Sequence, residues 1–298
     1  MNKINNNHDR KSKGKIIIKI IGGLGNQLYQ FFSAYSIAEA LGLELCLDIS
    51  KYNKYKTHKY ELEPIIKEYK HKIYSQSKFH WLNPLFFSRR KSKTIGYEPR
   101  IIRDARRRNI YLDGYFQSLY YFNSFLPNIR NNFSKLENSL SDSSKSLYDI
   151  ITNNDVTAIH IRGTDKLISS TNLRIYGEIS KEKIESILEK FKINYPETKY
   201  LCFTDDDNYA HTILKDKNIK YTIASNKSRK PWEDLFLLSA CKRKILSNST
   251  FSLWAAYLSN HNEENVYIPH PFYKLPYHFS VAGHKDSSNF MLPNWKVF

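Results

Sequence analysis

Lys15-Ile16-Ile17-Ile18-Lys19-Ile20-Ile21, followed by Gly22-Gly23-Leu24-Gly25-Asn26-Gln27, is the stretch that decides the fold. The isoleucine run is short and apolar, the mark of a buried strand. A glycine-rich turn follows it. Leu28, Phe31, Phe32, Tyr35, Ala38 and Leu41 then recur at helical spacing, and Gly42 supplies a stop. Leu43, Leu45, Leu47 and Ile49 alternate with other residues, which predicts a second strand. Strand, glycine turn, helix and strand begin a parallel α/β sheet. The glycines do not have the G-x-G-x-x-G spacing of a dinucleotide site, and no G-x-x-x-x-G-K-[ST], G-x-S-x-G or H-E-x-x-H occurs.

Outward from this unit the pattern fades and then returns. Residues 50–110 show little periodicity and hold two basic clusters, at 89–93 and 103–108. A strand with a turn is predicted at 110–115. The polar stretch 130–150 reads as a linker or a solvated helix. From residue 155 strands are predicted at 156–161, 200–204, 219–224, 244–246 and 266–268. Helices at 180–195, 208–215 and 251–258 alternate with them, and Pro231 suits the first position of another. No internal repeat is evident. The reading is two α/β halves: a disordered basic tail at 1–14, a first domain at 15–150 and a second at 151–298.

The 298-residue length allows roughly three quarters of the unfolded surface to be buried. Apolar residues at 41% and aromatics at 14% exclude intrinsic disorder. Basic residues outnumber acidic ones 46 to 29, a net of +17, so the chain attracts anions: nucleic acid, an acidic membrane surface or a phosphorylated substrate. Lys, Asn, Ile and Tyr are plentiful throughout, so compositional bias is an equal explanation. Cys46, Cys202 and Cys241 are odd in number and widely spaced, which excludes a disulfide framework or a zinc cluster and suggests a reducing compartment. No apolar stretch reaches 18 residues, so the expected location is cytoplasmic, at most peripheral to a membrane.

Three polar clusters fall just after predicted parallel strands: Arg162–Asp165, Asp205–Asp207 and Ser247–Thr250. Ligands of open α/β sheets bind at such strand ends, so one site would gather all three. Ser247-Asn248-Ser249-Thr250 reads as a helix N-cap or as a phosphate site. Arg162 suits a diphosphate clamp, Gly163 lets the backbone come close, and Asp165 would orient Arg162 or accept a proton. Asp205-Asp206-Asp207 is open between a metal site, an acidic helix start and a contact to ribose or base.

Taken together, these segments resemble one family. GGLGNQLYQ (22–30), YLDGYFQS (111–118), HIRGTD (160–165), FTDD (203–206) and SNSTFSLWAAYL (247–258) follow the order of bacterial α-1,2-fucosyltransferases, glycosyltransferase family 11. The resemblance spans about residues 15–270. It implies a GT-B fold, two Rossmann-like domains facing a cleft, with acceptor sugar in the first half and GDP-fucose in the second. It also implies inverting, metal-independent transfer of L-fucose onto a galactose 2-hydroxyl. By it, Arg162 matches the first Arg of H-x-R-R-x-D and neutralises the leaving diphosphate. Asn26 and Gly25 lie near the phosphates or the fucose, Ser249, Thr250 and Phe251 match phosphate and nucleoside contacts, and Asp205 matches a nucleoside-side position. Asp165 and His160 are the candidate bases. Gly163 departs from the motif's second Arg, and Leu253-Trp254-Ala255 departs from the usual aromatic pair and glycine.

No cofactor or metal is expected. The expected partners are GDP-fucose, a galactose-containing glycan that a lipid would carry in surface polysaccharide synthesis, and an anionic membrane met by the basic clusters. The rival readings are a GT-B transferase with another sugar nucleotide or linkage, and a nucleic-acid or polyanion binder. The latter lacks any RRM, KH or helix-turn-helix pattern.

Overall fold

A computed structural model of the chain describes residues 14–54, 57–75, 87–91, 96–107, 109–163, 181–215, 217–272 and 289–298. Its first strand, β1 (Lys15–Lys19), buries Ile16 and Ile18 on one face and Ile17 on the other. A strand covered on both faces needs an unbroken apolar run, which is what this one has. Helix α1 (Leu24–Leu41) follows and ends on Gly42, whose φ of 63° turns its N–H back onto the last carbonyls. Gly25, Asn26 and Gln27 therefore form the first helical turn. The sequence spacing had placed them in the turn before it, because glycine weakens the helical signal. β2 (Glu44–Asp48) lies parallel to β1. Then come α2 (Glu63–Ile66), β3 (Lys72–Tyr74), β4 (Phe87–Lys91), α3 (Pro99–Ala105) and β5 (Asn109–Asp113). The order in the sheet is β3-β2-β1-β5-β4, with parallel pairing throughout.

Helices α4 (Leu126–Ser134) and α5 (Asp142–Thr152) occupy the polar stretch that was open between linker and helix. The second sheet is built from β6 (Val156–Ile161), α6 (Lys181–Asn194), β7 (Lys199–Thr204), α7 (Asp207–Leu214), β8 (Tyr221–Ile223), α8 (Pro231–Ala240), β9 (Arg243–Ile245), α9 (Thr250–Tyr257), β10 (Val266–Ile268) and β11 (Lys296–Val297). Its order is β11-β10-β9-β6-β7-β8, again parallel. Helix α5 rests on α8: Tyr148 meets Phe236 at 5.4 Å, and the Ser141 N–H donates to Glu233 Oε1 at 2.6 Å.

The two sheets share one core. Thirteen of the eighteen α1 residues are buried, because the first sheet covers one side of the helix and α9 another. Tyr29 and Tyr257 share a hydroxyl hydrogen bond at 2.9 Å. Trp254, fully buried, stacks on Phe122 at 4.9 Å and meets Tyr29 edge-on at 5.3 Å. Trp254 is thus the wedge between the halves. Cys46, Cys202 and Cys241 are buried free thiols. No described helix is long and apolar enough to cross a membrane.

Candidate active site

The carboxyl ends of the two sheets face one another across the first turns of α1 and α9. A methyl added to Gly25 would lie 2.5 Å from the Phe251 nitrogen and 2.6 Å from the Thr250 carbonyl carbon. Only glycine permits that backbone-to-backbone approach. Neither helix has a side-chain cap, and neither has an acidic residue in its first turn. Two positive helix ends thus converge on one place, which suits an anion. Ser249 sits at the N-cap position of α9 without capping it. The Ser252 hydroxyl instead donates to the Ser247 and Ser249 carbonyls, 3.0 Å each, and stiffens the turn.

Strand β6 delivers His160 and, just past its end, Arg162 and Gly163. His160 is 8% exposed; its Nδ1 lies 2.7 Å from Ser247 Oγ, and its ring stacks on Phe251 at 5.8 Å. That places it behind the 247–251 turn, as a support. Arg162 Nη1 donates to Ser249 Oγ at 3.5 Å, and its Nε lies 3.9 Å from Asp205 Oδ2. The Gly163 N–H donates to Asp205 Oδ1 at 2.8 Å. A side chain on Gly163 would start 2.9 Å from Tyr209 Cδ1 and 3.0 Å from Asp206 Cβ. Close packing against α7 is the physical reason for glycine at this place. Asp206 caps α7 by accepting from the Tyr209 N–H at 3.0 Å. The acidic run therefore divides its work: one carboxylate orients the arginine, the next caps a helix. Among the described residues, no cluster of three His, Cys, Asp or Glu is placed to hold a metal.

From the first half, Asn26 Oδ1 accepts from Gln117 Nε2 at 2.7 Å. The structure thus gathers His160, Arg162, Asp205, Ser249, Thr250 and Phe251 from one side and Gly25 and Asn26 from the other. Asp165 lies outside the described residues, and Asp205 stands beside Arg162 where the sequence had suggested Asp165. Three contributions had no assigned role in the sequence: Ser247 as partner of His160, Gln117 as partner of Asn26, and Gln27, treated below. Gln117 lies in a quoted motif, but an amide carries no chemical signature until its partner is known.

The model of a family described as glycosyl transferase family 11 matches residues 2–296. An α-1,2-colitosyltransferase of Escherichia coli is 22% identical over 276 residues, 87% of this chain and 92% of that protein. The O-antigen biosynthesis glycosyltransferase WbnK of Escherichia coli is 25% identical over 124 residues, 42% of this chain and 41% of its own length. Among solved structures, the α-1,6-fucosyltransferase NodZ soaked with GDP-fucose superposes with a TM-score of 0.51 at 16% identity, covering 83% of this chain and 93% of NodZ. A point mutant of Arabidopsis thaliana FUT1 in complex with GDP gives 0.51 at 14% identity, covering 84% of this chain and 69% of that one. At these identities the structures speak for the fold: two facing Rossmann-like sheets, the GT-B arrangement.

Proposed function

The chain belongs to glycosyl transferase family 11, and we propose that it transfers L-fucose from GDP-β-L-fucose to the 2-hydroxyl of a galactose residue, inverting the anomeric centre. The observation that carries this is the meeting of two helix N-termini with Arg162 at one strand end. Departure of GDP builds negative charge on a diphosphate. Fixed N–H dipoles and a guanidinium stabilise that charge as it forms, without a metal. Asp205 holds the arginine in place, the Ser249 and Thr250 hydroxyls offer further donors, and Phe251 offers a ring for the nucleoside. The glycan acceptor enters from the side of the first sheet, and the O-antigen role of WbnK supports a surface-polysaccharide acceptor.

A second reading has its own support. The relative matched over most of the chain is a colitosyltransferase, so colitose on the same GDP carrier is the alternative sugar. The diphosphate chemistry is common to both.

Arg162→Ala tests the assignment. Transfer should fall by at least about 10²-fold, the scale of one lost oxyanion donor, and GDP should bind more weakly in calorimetry. Near-normal turnover by the folded variant removes Arg162 from its role.

A further inference from the structure

Gln27 is fully buried, and all of its amide is used. Its Nε2 donates to the Gly22 carbonyl at 2.8 Å and to the Lys59 carbonyl at 2.7 Å, while its Oε1 accepts from the Glu61 N–H at 2.9 Å. Tyr52 adds a hydroxyl bond to the Gly22 carbonyl at 2.7 Å. A satisfied buried amide of this kind fixes one conformation. Here it fastens the segment 58–61 to the start of α1. The consequence is the position of His58. Its imidazole lies against Gly23, the N-cap of α1: a methyl there would be 3.3 Å from Cε1, 3.4 Å from Nδ1 and 3.7 Å from Nε2. Two residues further on, Gly25 touches Thr250 and Phe251. His58 is half-buried, and the ring of Tyr115, 43% exposed, comes within 3.6 Å of a methyl on Gly22. An imidazole and a partly exposed tyrosine thus flank the glycine turn on the side of the first sheet.

We infer that His58 is a catalytic residue, the group that takes the proton of the acceptor hydroxyl. The inference rests on the donor reading given above. In the step, the bond from the anomeric carbon to the diphosphate oxygen breaks, and its electron pair leaves on GDP. The acceptor oxygen bonds the anomeric carbon from the opposite face. Its proton passes to an imidazole nitrogen of His58 and from there to water. His160 is less suited, because it sits behind Phe251 on Ser247. Glu61 is the rival base: it hangs from the same clamp, and burial raises its carboxyl.

The experiment uses the full chain with GDP-fucose and GDP-colitose as donors and lactose as acceptor probe. His58→Ala should lower kcat for transfer by at least about 10²-fold, the usual contribution of a general base. GDP affinity should be unchanged, and added imidazole should restore at least about a tenth of the lost rate. His58→Gln, which keeps a polar side chain but cannot take the proton, should be as slow as His58→Ala. Transfer within about threefold of wild type in folded His58→Ala overturns the inference. So does a matching loss of GDP affinity without imidazole rescue, which marks a structural role, or a loss confined to Glu61→Gln. Failure of the donor reading looks different: wild type would then bind no GDP at all. In that case the Cε1–H resonance of His58, followed by NMR as lactose is added, decides separately; an unmoved signal overturns the placement at the acceptor.

Discussion

A methyl group on Gly25 would lie 2.5 Å from the Phe251 nitrogen, so Gly25→Ala must push the first turns of α1 and α9 apart. Overpacking of this kind costs about 1–3 kcal/mol. Urea denaturation should register that loss, and GDP affinity should fall with it if these turns hold the diphosphate as proposed. Unchanged affinity would separate the backbone contact from the binding site. Single residues of the site were legible unevenly. Arg162, Ser249 and Thr250 stood out, because each falls just after a predicted strand and carries a donor. Asp205 was visible as a carboxylate but not as the partner of Arg162, since that contact crosses 43 residues of chain. Gly163 looked like a loss against the family motif. Tyr209, packed against it, supplies the reason, and nothing in the sequence told that α7 comes so close.

Among the elements, β9 carries a testable electrostatic feature. Lys244 is entirely buried there, and its ammonium donates to the Cys241 carbonyl and to Ser259 Oγ. Burial pushes it down to about 8 from the ordinary 10.5. Between those two values the unfolded chain holds a proton that the folded protein has released. Stability therefore rises with pH across that window through this group. Lys244→Met should lack the rise when unfolding free energies are measured at steps from neutral to strongly alkaline pH; parallel curves for the two proteins would contradict it. Elements with apolar cores were readable: β6 to β10 of the second sheet fall within about two residues of their predicted places, whereas the two-residue edge strand β11 was not predicted. β3 and β4 were not, because their sequences are polar. Lys72 in β3 is neutralised by Glu44, and Arg89 in β4 by Asp113. Helix α5 was ambiguous for a related reason. Its polar face is rich in serine, and the partners of its narrow apolar face lie on α8.

At the scale of the whole molecule, the core runs unbroken from Ile16 in the first sheet to Trp295 near the carboxyl end. The protein should therefore unfold in a single cooperative transition, and two resolved transitions in calorimetry would contradict a shared core. Trp254→Ala, which opens a large cavity between the halves, should cost about 3–5 kcal/mol. The net charge of +17 is partly balanced locally by ion pairs at the surface: Asp113 and Asp104 take Arg89 and Arg90. Arg100, Arg103, Arg106 and Arg107 are exposed on and beside α3. We propose this patch as the contact with an anionic membrane. Sedimentation with anionic vesicles should show salt-sensitive binding that neutral vesicles lack, and equal binding to both would remove the electrostatic contact. The proposed reaction is a metal-independent transfer from a GDP-sugar, with helix ends and Arg162 stabilising the leaving diphosphate. Its most direct measurement is product formation from GDP-fucose and GDP-colitose with a panel of galactosides in the presence of EDTA, with GDP and UDP binding recorded alongside. An α-1,2-linked product should form in EDTA, and GDP should bind over UDP; absence of binding to either nucleotide, with no product from either donor, would contradict the proposed reaction.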